Sequence, residues 1–122
     1  MDKVVGGAKF DGEKPRTDLL DPVAMLGTAQ VLAFGAKKYA ANNWKQGIAW
    51  TRIIGAILRH LFAIMRGEDI DPESRLPHVH HLGCEIMFLQ YFYEMRKDLD
   101  DRYKEPTNAK SDPNVQPTRG AV

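Results

Sequence analysis

Between Leu19 and Met95 apolar side chains recur every three or four residues, and no stretch sustains the alternation of a half-buried strand. Asp21-Pro22 predicts a helix start, with Asp as N-cap and Pro at the first helical position. That helix runs to about Tyr39 and buries some of Val23, Leu26, Val31 and Phe34. After a loop over Ala41 to Gly47, Thr51 is the expected cap of a second helix. It ends near Arg66, where Gly67 supplies the left-handed position. Its apolar face holds Ile53, Ile57, Leu61 and Ile64, widened by Ile54, Leu58 and Met65. The acidic stretch Glu68 to Leu76 has no apolar period. Pro77 restarts a helix through roughly Arg102, with Leu82, Ile86, Leu89, Phe92 and Met95 facing inward.

The pattern predicts an all-α fold, a compact bundle of three main helices. Phe88, Tyr91, Phe92 and Tyr93 point to nearly every side of the third helix, so burying them all requires a partner. A homo-oligomer is expected, a dimer or a tetramer built as a dimer of dimers. At 122 residues the chain makes one domain, expected over 1–103. Residues 104–122 hold three prolines and few large apolar side chains, the composition of a flexible C-terminal tail.

The net charge of +1 gives no bulk field for nucleic acid or an anionic membrane. Cys84 is the lone cysteine, so no disulfide forms within the chain, and its apolar helical setting marks a quiet buried thiol. The N-terminus has no signal-peptide core and no run reaches membrane-span length. The expectation is a soluble cytoplasmic protein.

Chemistry concentrates in one place. All four histidines, His60, His78, His80 and His81, fall inside 22 residues, with Glu68, Asp69, Asp71, Glu73 and Glu85 in or beside that segment. Imidazoles and carboxylates hold catalytic metals and move protons near neutral pH. At 100° per residue His78, His81 and Glu85 lie at about 0°, −60° and −20° on the third helix, sharing a face that His80 does not. His60 sits between Ile57 and Ile64 on the apolar face of the second. An unpaired polar group there costs about 1–3 kcal/mol, so His60 should meet His78, His81 or Glu85 across the interface. Such a cluster serves metal-assisted or acid–base chemistry, or forms a satisfied polar network that sets helix register.

Arg52, Arg59 and Arg66 recur every seven residues, a stripe about 100° from His60. With Lys37 and Lys38 nearby, the cations form either a solvated face or a polyphosphate clamp beside a metal. Tyr39, Asn43 and Trp44 could handle a base by stacking and hydrogen bonding, or Tyr39 and Trp44 could be plain core aromatics.

Several separated blocks carry a resemblance. They are Gly7-Ala8-Lys9-Phe10-Asp11-Gly12-Glu13-Lys14-Pro15-Arg16, Gly35-Ala36-Lys37-Lys38-Tyr39 and Asn43-Trp44, followed by Arg59-His60-Leu61, Gly67-Glu68-Asp69-Ile70-Asp71-Pro72-Glu73-Ser74 and Pro77-His78-Val79-His80-His81. Over about residues 7–96 the chain resembles the phage-associated family known as the N-terminal domain of dATP/dGTP diphosphohydrolases. The resemblance implies a mostly helical, metal-dependent hydrolase of purine deoxynucleoside triphosphates that shapes the nucleotide pool, akin to all-α MazG-like pyrophosphohydrolases. Those enzymes hold metal on E-E-x-x-E and E-x-x-D helices. This chain has neither motif, nor the His-Asp dipeptide of HD-type phosphohydrolases.

The expected site follows. His60, His78, His81, Asp71 and Glu73 are the metal ligands, for manganese, magnesium or cobalt; imidazoles suit transition metals better than magnesium. Glu68, Asp71 and Glu85 are the catalytic carboxylates, Glu68 activating water. Lys37, Lys38 and Arg59 meet phosphates, and Tyr39, Asn43 and Trp44 the base. The alternatives are a non-catalytic nucleotide-binding or regulatory module, and a helical interaction protein whose histidines satisfy one another.

Overall fold

The computed structural model describes residues 6–10 and 12–106. Three helices account for its regular structure: α1 (Pro22–Lys38), α2 (Trp50–Met65) and α3 (His78–Met95). Short 3-10 turns cover Thr17–Leu19, Asn43–Gln46 and Lys97–Leu99. The all-α expectation holds, and none of the described helices is long and apolar enough to cross a membrane. The expected tail lies, beyond residue 106, outside the described residues.

α1 begins as its sequence predicts, the Asp21 side chain accepting from Ala24 N–H at 3.0 Å with Pro22 in the first turn. α2 ends as predicted too. Gly67 at φ 93° closes it with Glu68 N–H on Ala63 O and Gly67 N–H on Ile64 O, the paired bonds of a Schellman motif.

The N-terminus of α2 departs from expectation. The helix opens at Trp50 with Ala49 as N-cap, and Thr51 is already inside it. Asp101 does the capping from across the fold: its carboxylate accepts from Thr51 N–H at 2.9 Å and from the Thr51 hydroxyl at 2.7 Å. For that reason α3 does not reach Arg102. It stops at Met95, Arg96 turns out of helical geometry, and Arg96 pairs with Asp98. The chain then doubles back to place Leu99 in the core and Asp101 on α2.

α3 is the shared wall. α2 packs along one face and α1 along another. The core is Trp50, Ile53 and Phe92, with Trp44, Ile48, Ile57, Phe88, Leu89, Tyr91 and Leu99 against it. Several expected core positions are open instead. Val23 and Leu26 are 77% and 65% exposed, because α1 buries only the stripe through Gly27 and Val31. Leu61, Ile86 and Met95 are also exposed, since α2 and α3 have apolar residues on more sides than two neighbours can cover.

α1 meets α3 closely at two glycines. A Cβ on Gly27 would overlap the His80 ring, and one on Gly83 would press on Thr28 Oγ1. Gly27→Ala should therefore cost about 1–3 kcal/mol in chemical denaturation, as overpacking does. Gly35, in the same helix with open space around it, should gain about 0.4–1 kcal/mol on replacement by Ala.

Candidate active site

The start of α3 gathers the chemistry. The His78 backbone N–H is held by Asp69 O at 2.8 Å, and an isolated bridge between Ile70 and Pro77 folds the acidic loop back on itself. His78 is buried, 3% exposed, and bonded at both ring nitrogens. Its Nε2 lies 2.9 Å from Glu68 Oε1, and its Nδ1 lies 2.8 Å from His60 Nδ1 on α2. An ionised carboxylate only accepts, so the proton sits on Nε2 and the Nδ1 lone pair faces His60.

His60, Asp71 and His78 each offer a ligand atom, all within 4.8 Å of one another. Two imidazoles and a carboxylate form a donor set suited to a divalent transition metal with positions left open. The Glu68–His78 bond is the outer carboxylate that such a histidine commonly has. Asp71 is itself held, accepting from Ser74 N–H at 2.8 Å. Burial works to raise the Asp71 pKa, but the Ser74 bonds and the nearby histidines outweigh it, and the net shift is downward. His60 is pushed down by burial and then by His81 and His78. Burial likewise pushes His81 down. Neutral imidazoles beside an ionised carboxylate are the protonation states that ligation requires.

His81, expected as a third histidine ligand, lies outside that group. Its ring stacks on His60 at 4.6 Å between centroids, and its Nε2 is 2.7 Å from Ser74 Oγ. Glu73 is bound elsewhere, its carboxylate 2.7 Å from Lys38 Nζ in an ion pair joining the acidic loop to the end of α1. Glu68 is spent on His78. His80 lies off the face of His78 and His81, as its helical position implied, and its ring meets α1 at Gly27. Ser74 was not anticipated, although Asp71-Pro72-Glu73-Ser74 is a sequence in which an Asp side chain caps a turn three residues on.

These groups stand at one end of a cleft of about 800 Å³ between the C-terminal half of α1, the loop over 40–48 and the flank of α3. His60, Asp71, Ser74 and His81 are in its lining, as are Trp44, Ile48 and Phe88, and Phe88 lies about two turns along α3 from His81. Of the expected phosphate ligands, Lys38 lines the cleft, while Lys37 is exposed outside it. Arg59 is not part of the lining either, but its charge acts on Glu85 and His60. Tyr39 and Asn43 line the cleft from exposed positions. Trp44 is a core aromatic as well as a lining residue, stacked on Phe88 at 4.4 Å and edge-on to Tyr91 and Phe92. Cys84 is buried and its thiol is pushed by burial up to about 12, which makes it inert at neutral pH. Burial raises Glu85, also in the lining, to about 7, against the pull of Arg59.

Residues 5–102 match the family described as dATP/dGTP diphosphohydrolase, N-terminal. A protein of Salmonella phage PMBT28 named dATP/dGTP diphosphohydrolase is 34% identical over 116 residues, 95% of this chain. The match covers 38% of that relative, so the chain spans well under half its length. No solved structure matches the chain.

Glu85 yields a pH prediction. Its folded pKa stands above the ordinary carboxylate value near 4.3, so the native state holds the extra proton between the two. The ionised, buried form therefore weakens the fold as pH rises through that window. Glu85→Gln should raise Tm at pH 8 and change it little at pH 4.5, read by thermal melts at both.

Proposed function

Since this chain belongs to the dATP/dGTP diphosphohydrolase N-terminal family, we propose that it binds purine deoxynucleoside triphosphates in the α1–α3 cleft and cuts their polyphosphate chain with a divalent metal. The observation that carries this reading is the convergence of His60, Asp71 and His78, the first two of which line a cleft large enough for a nucleotide. These three would hold the metal, manganese or cobalt fitting the imidazoles better than magnesium. When bound, it supplies Lewis acidity and charge neutralisation at the phosphates.

The remaining side chains take roles set by their bonds. Glu68 orients His78 through Nε2 and turns the Nδ1 lone pair toward His60, where a metal would displace the contact between the two rings. Ser74 Oγ lies 2.7 Å from His81 Nε2 and accepts from Leu76 N–H. Beside it the neutral His81 takes a proton from the attacking water. Lys38 exchanges Glu73 for a phosphate oxygen, an exposed pair being easily parted. The base then lies toward Tyr39, Asn43 and Trp44, with Phe88 behind Trp44.

A second reading, a nucleotide-binding module in a longer enzyme, is favoured by the chain's 38% share of its phage relative. Chelator separates the two: hydrolysis of dATP and dGTP by this chain should stop, whereas binding through cations and aromatics alone should largely persist. We also propose that a second copy covers the exposed apolar side chains of α2 and α3, among them Leu58, Phe62, Ile86 and Tyr93.

Adding Mn²⁺ to chelator-stripped protein should raise Tm, by the equivalent of about 2.7 kcal/mol at a hundred times Kd. His78→Ala should abolish that rise, and Glu68→Gln should weaken the metal about 10–100-fold. An unchanged Mn²⁺ response in His78→Ala would remove the proposed ligand set. Sedimentation should show a dimer or tetramer, dissociating in Ile86→Lys; a monomeric parent protein would refute the covered face.

A further inference from the structure

Three carboxylates line the cleft, and two are already engaged: Asp71 with Ser74, and Glu73 with Lys38. Among the described residues Glu85 makes no hydrogen bond, and its oxygens are not sealed from the cleft. A half-buried carboxyl with open hydrogen-bonding capacity, facing a cavity, is a recognition group waiting for a partner.

Its place along the cleft identifies that partner. Glu85 lies one turn below His81 on the same face of α3, about 6 Å further along the axis and about 10 Å below His78. Phe88 follows three residues later, with Trp44 stacked on it. The order down α3 is therefore metal ligand, carboxyl, aromatic pair. With phosphates at the histidine end, the sugar and base extend past Glu85 toward the aromatic wall. Guanine presents two adjacent N–H donors on its Watson–Crick edge, at N1 and N2. Adenine presents an N–H donor at N6 beside an acceptor at N1. A carboxylate accepts both guanine protons. A carboxylic acid donates to adenine N1 and accepts from N6.

We propose that Glu85 reads the purine edge, as carboxylate for guanine and as acid for adenine, so that one pocket takes both dGTP and dATP. This rests on the nucleotide reading of the cleft given above and deepens it. Burial holds Glu85 near the midpoint of its titration at about 7, so both forms are present at neutral pH. The charged and titratable groups around it are Arg59 on α2, which favours the carboxylate, Lys38, Tyr39 and Lys45 across the cleft, and Cys84 beside it. His60, Asp71, Glu73 and His81 line the upper cleft and contribute nothing to its shift.

The test is equilibrium binding of non-hydrolysable α,β-imido dATP and dGTP to the full chain with Mn²⁺, from pH 6 to pH 8. The ratio of dATP to dGTP affinity should fall about tenfold or more as pH rises, because each unit past the midpoint depletes one form tenfold. In Glu85→Gln the amide donates and accepts as the acid does. That variant should keep dATP, lose dGTP about 10–100-fold, and show a pH-independent ratio. Parent protein that binds both nucleotides with a ratio constant across the range would overturn the role of Glu85 and leave the nucleotide reading standing. Equal loss of both nucleotides in folded Glu85→Gln would do the same. Parent protein that binds neither would overturn the nucleotide reading and this inference with it.

Discussion

A buried imidazole must be bonded at both nitrogens, and His78 meets that demand by joining three parts of the chain. Its ring ties Glu68, three residues beyond the end of α2, to His60 within α2, from the first turn of α3. Its backbone N–H is held by Asp69 in the same loop. Remove that pairing and the loop over 68–77 loses its anchor, Asp71 loses its station beside the histidines, and a polar group is left unpaired inside the protein. The constraint that orders the fold at this end also builds the donor cluster.

The cleft exists because α3 serves two neighbours without letting them close on each other. Near its N-terminal half α3 comes close to α1, where Gly27 admits the His80 ring and Gly83 admits Thr28. The α2 contact runs along a different face, through Ile53, Ile57 and Phe92. Between these two contacts one flank of α3 remains uncovered, and His81, Cys84, Glu85 and Phe88 line it. The same economy leaves apolar residues exposed elsewhere on α2 and α3, a consequence of three helices dividing a small core.

Part of the candidate site's geometry is legible from spacing alone. His60 on an apolar stripe required a polar partner, and His78 supplies it at 2.8 Å. The shared face of His78, His81 and Glu85 follows from helical periodicity, as does the turning of His80 away from it. Three placements are not legible in spacing. His81 shares the face of His78, yet its Nε2 lies against Ser74. Glu73 belongs to the acidic loop, yet it reaches Lys38, thirty-five positions away. Trp44 lines the cleft while packing in the core. Each outcome depends on where a loop residue meets a distant partner, and local periodicity carries no such information.

The same division holds for the fold. Local chemistry determined the all-α class, the Asp21-Pro22 start of α1, the Gly67 end of α2 and the start of α3 after Pro77, because caps and breakers act within a turn or two. Tertiary structure decided the rest. α3 ends at Met95 and α2 is capped at Thr51 for one reason: Asp101 turns back across fifty positions to meet an N-terminus that its neighbours leave bare. It also decided which apolar residues are core, since among the described helices α1 packs chiefly against α3. Amphipathic pattern says which side of a helix prefers burial; only the packed arrangement supplies a surface to receive it.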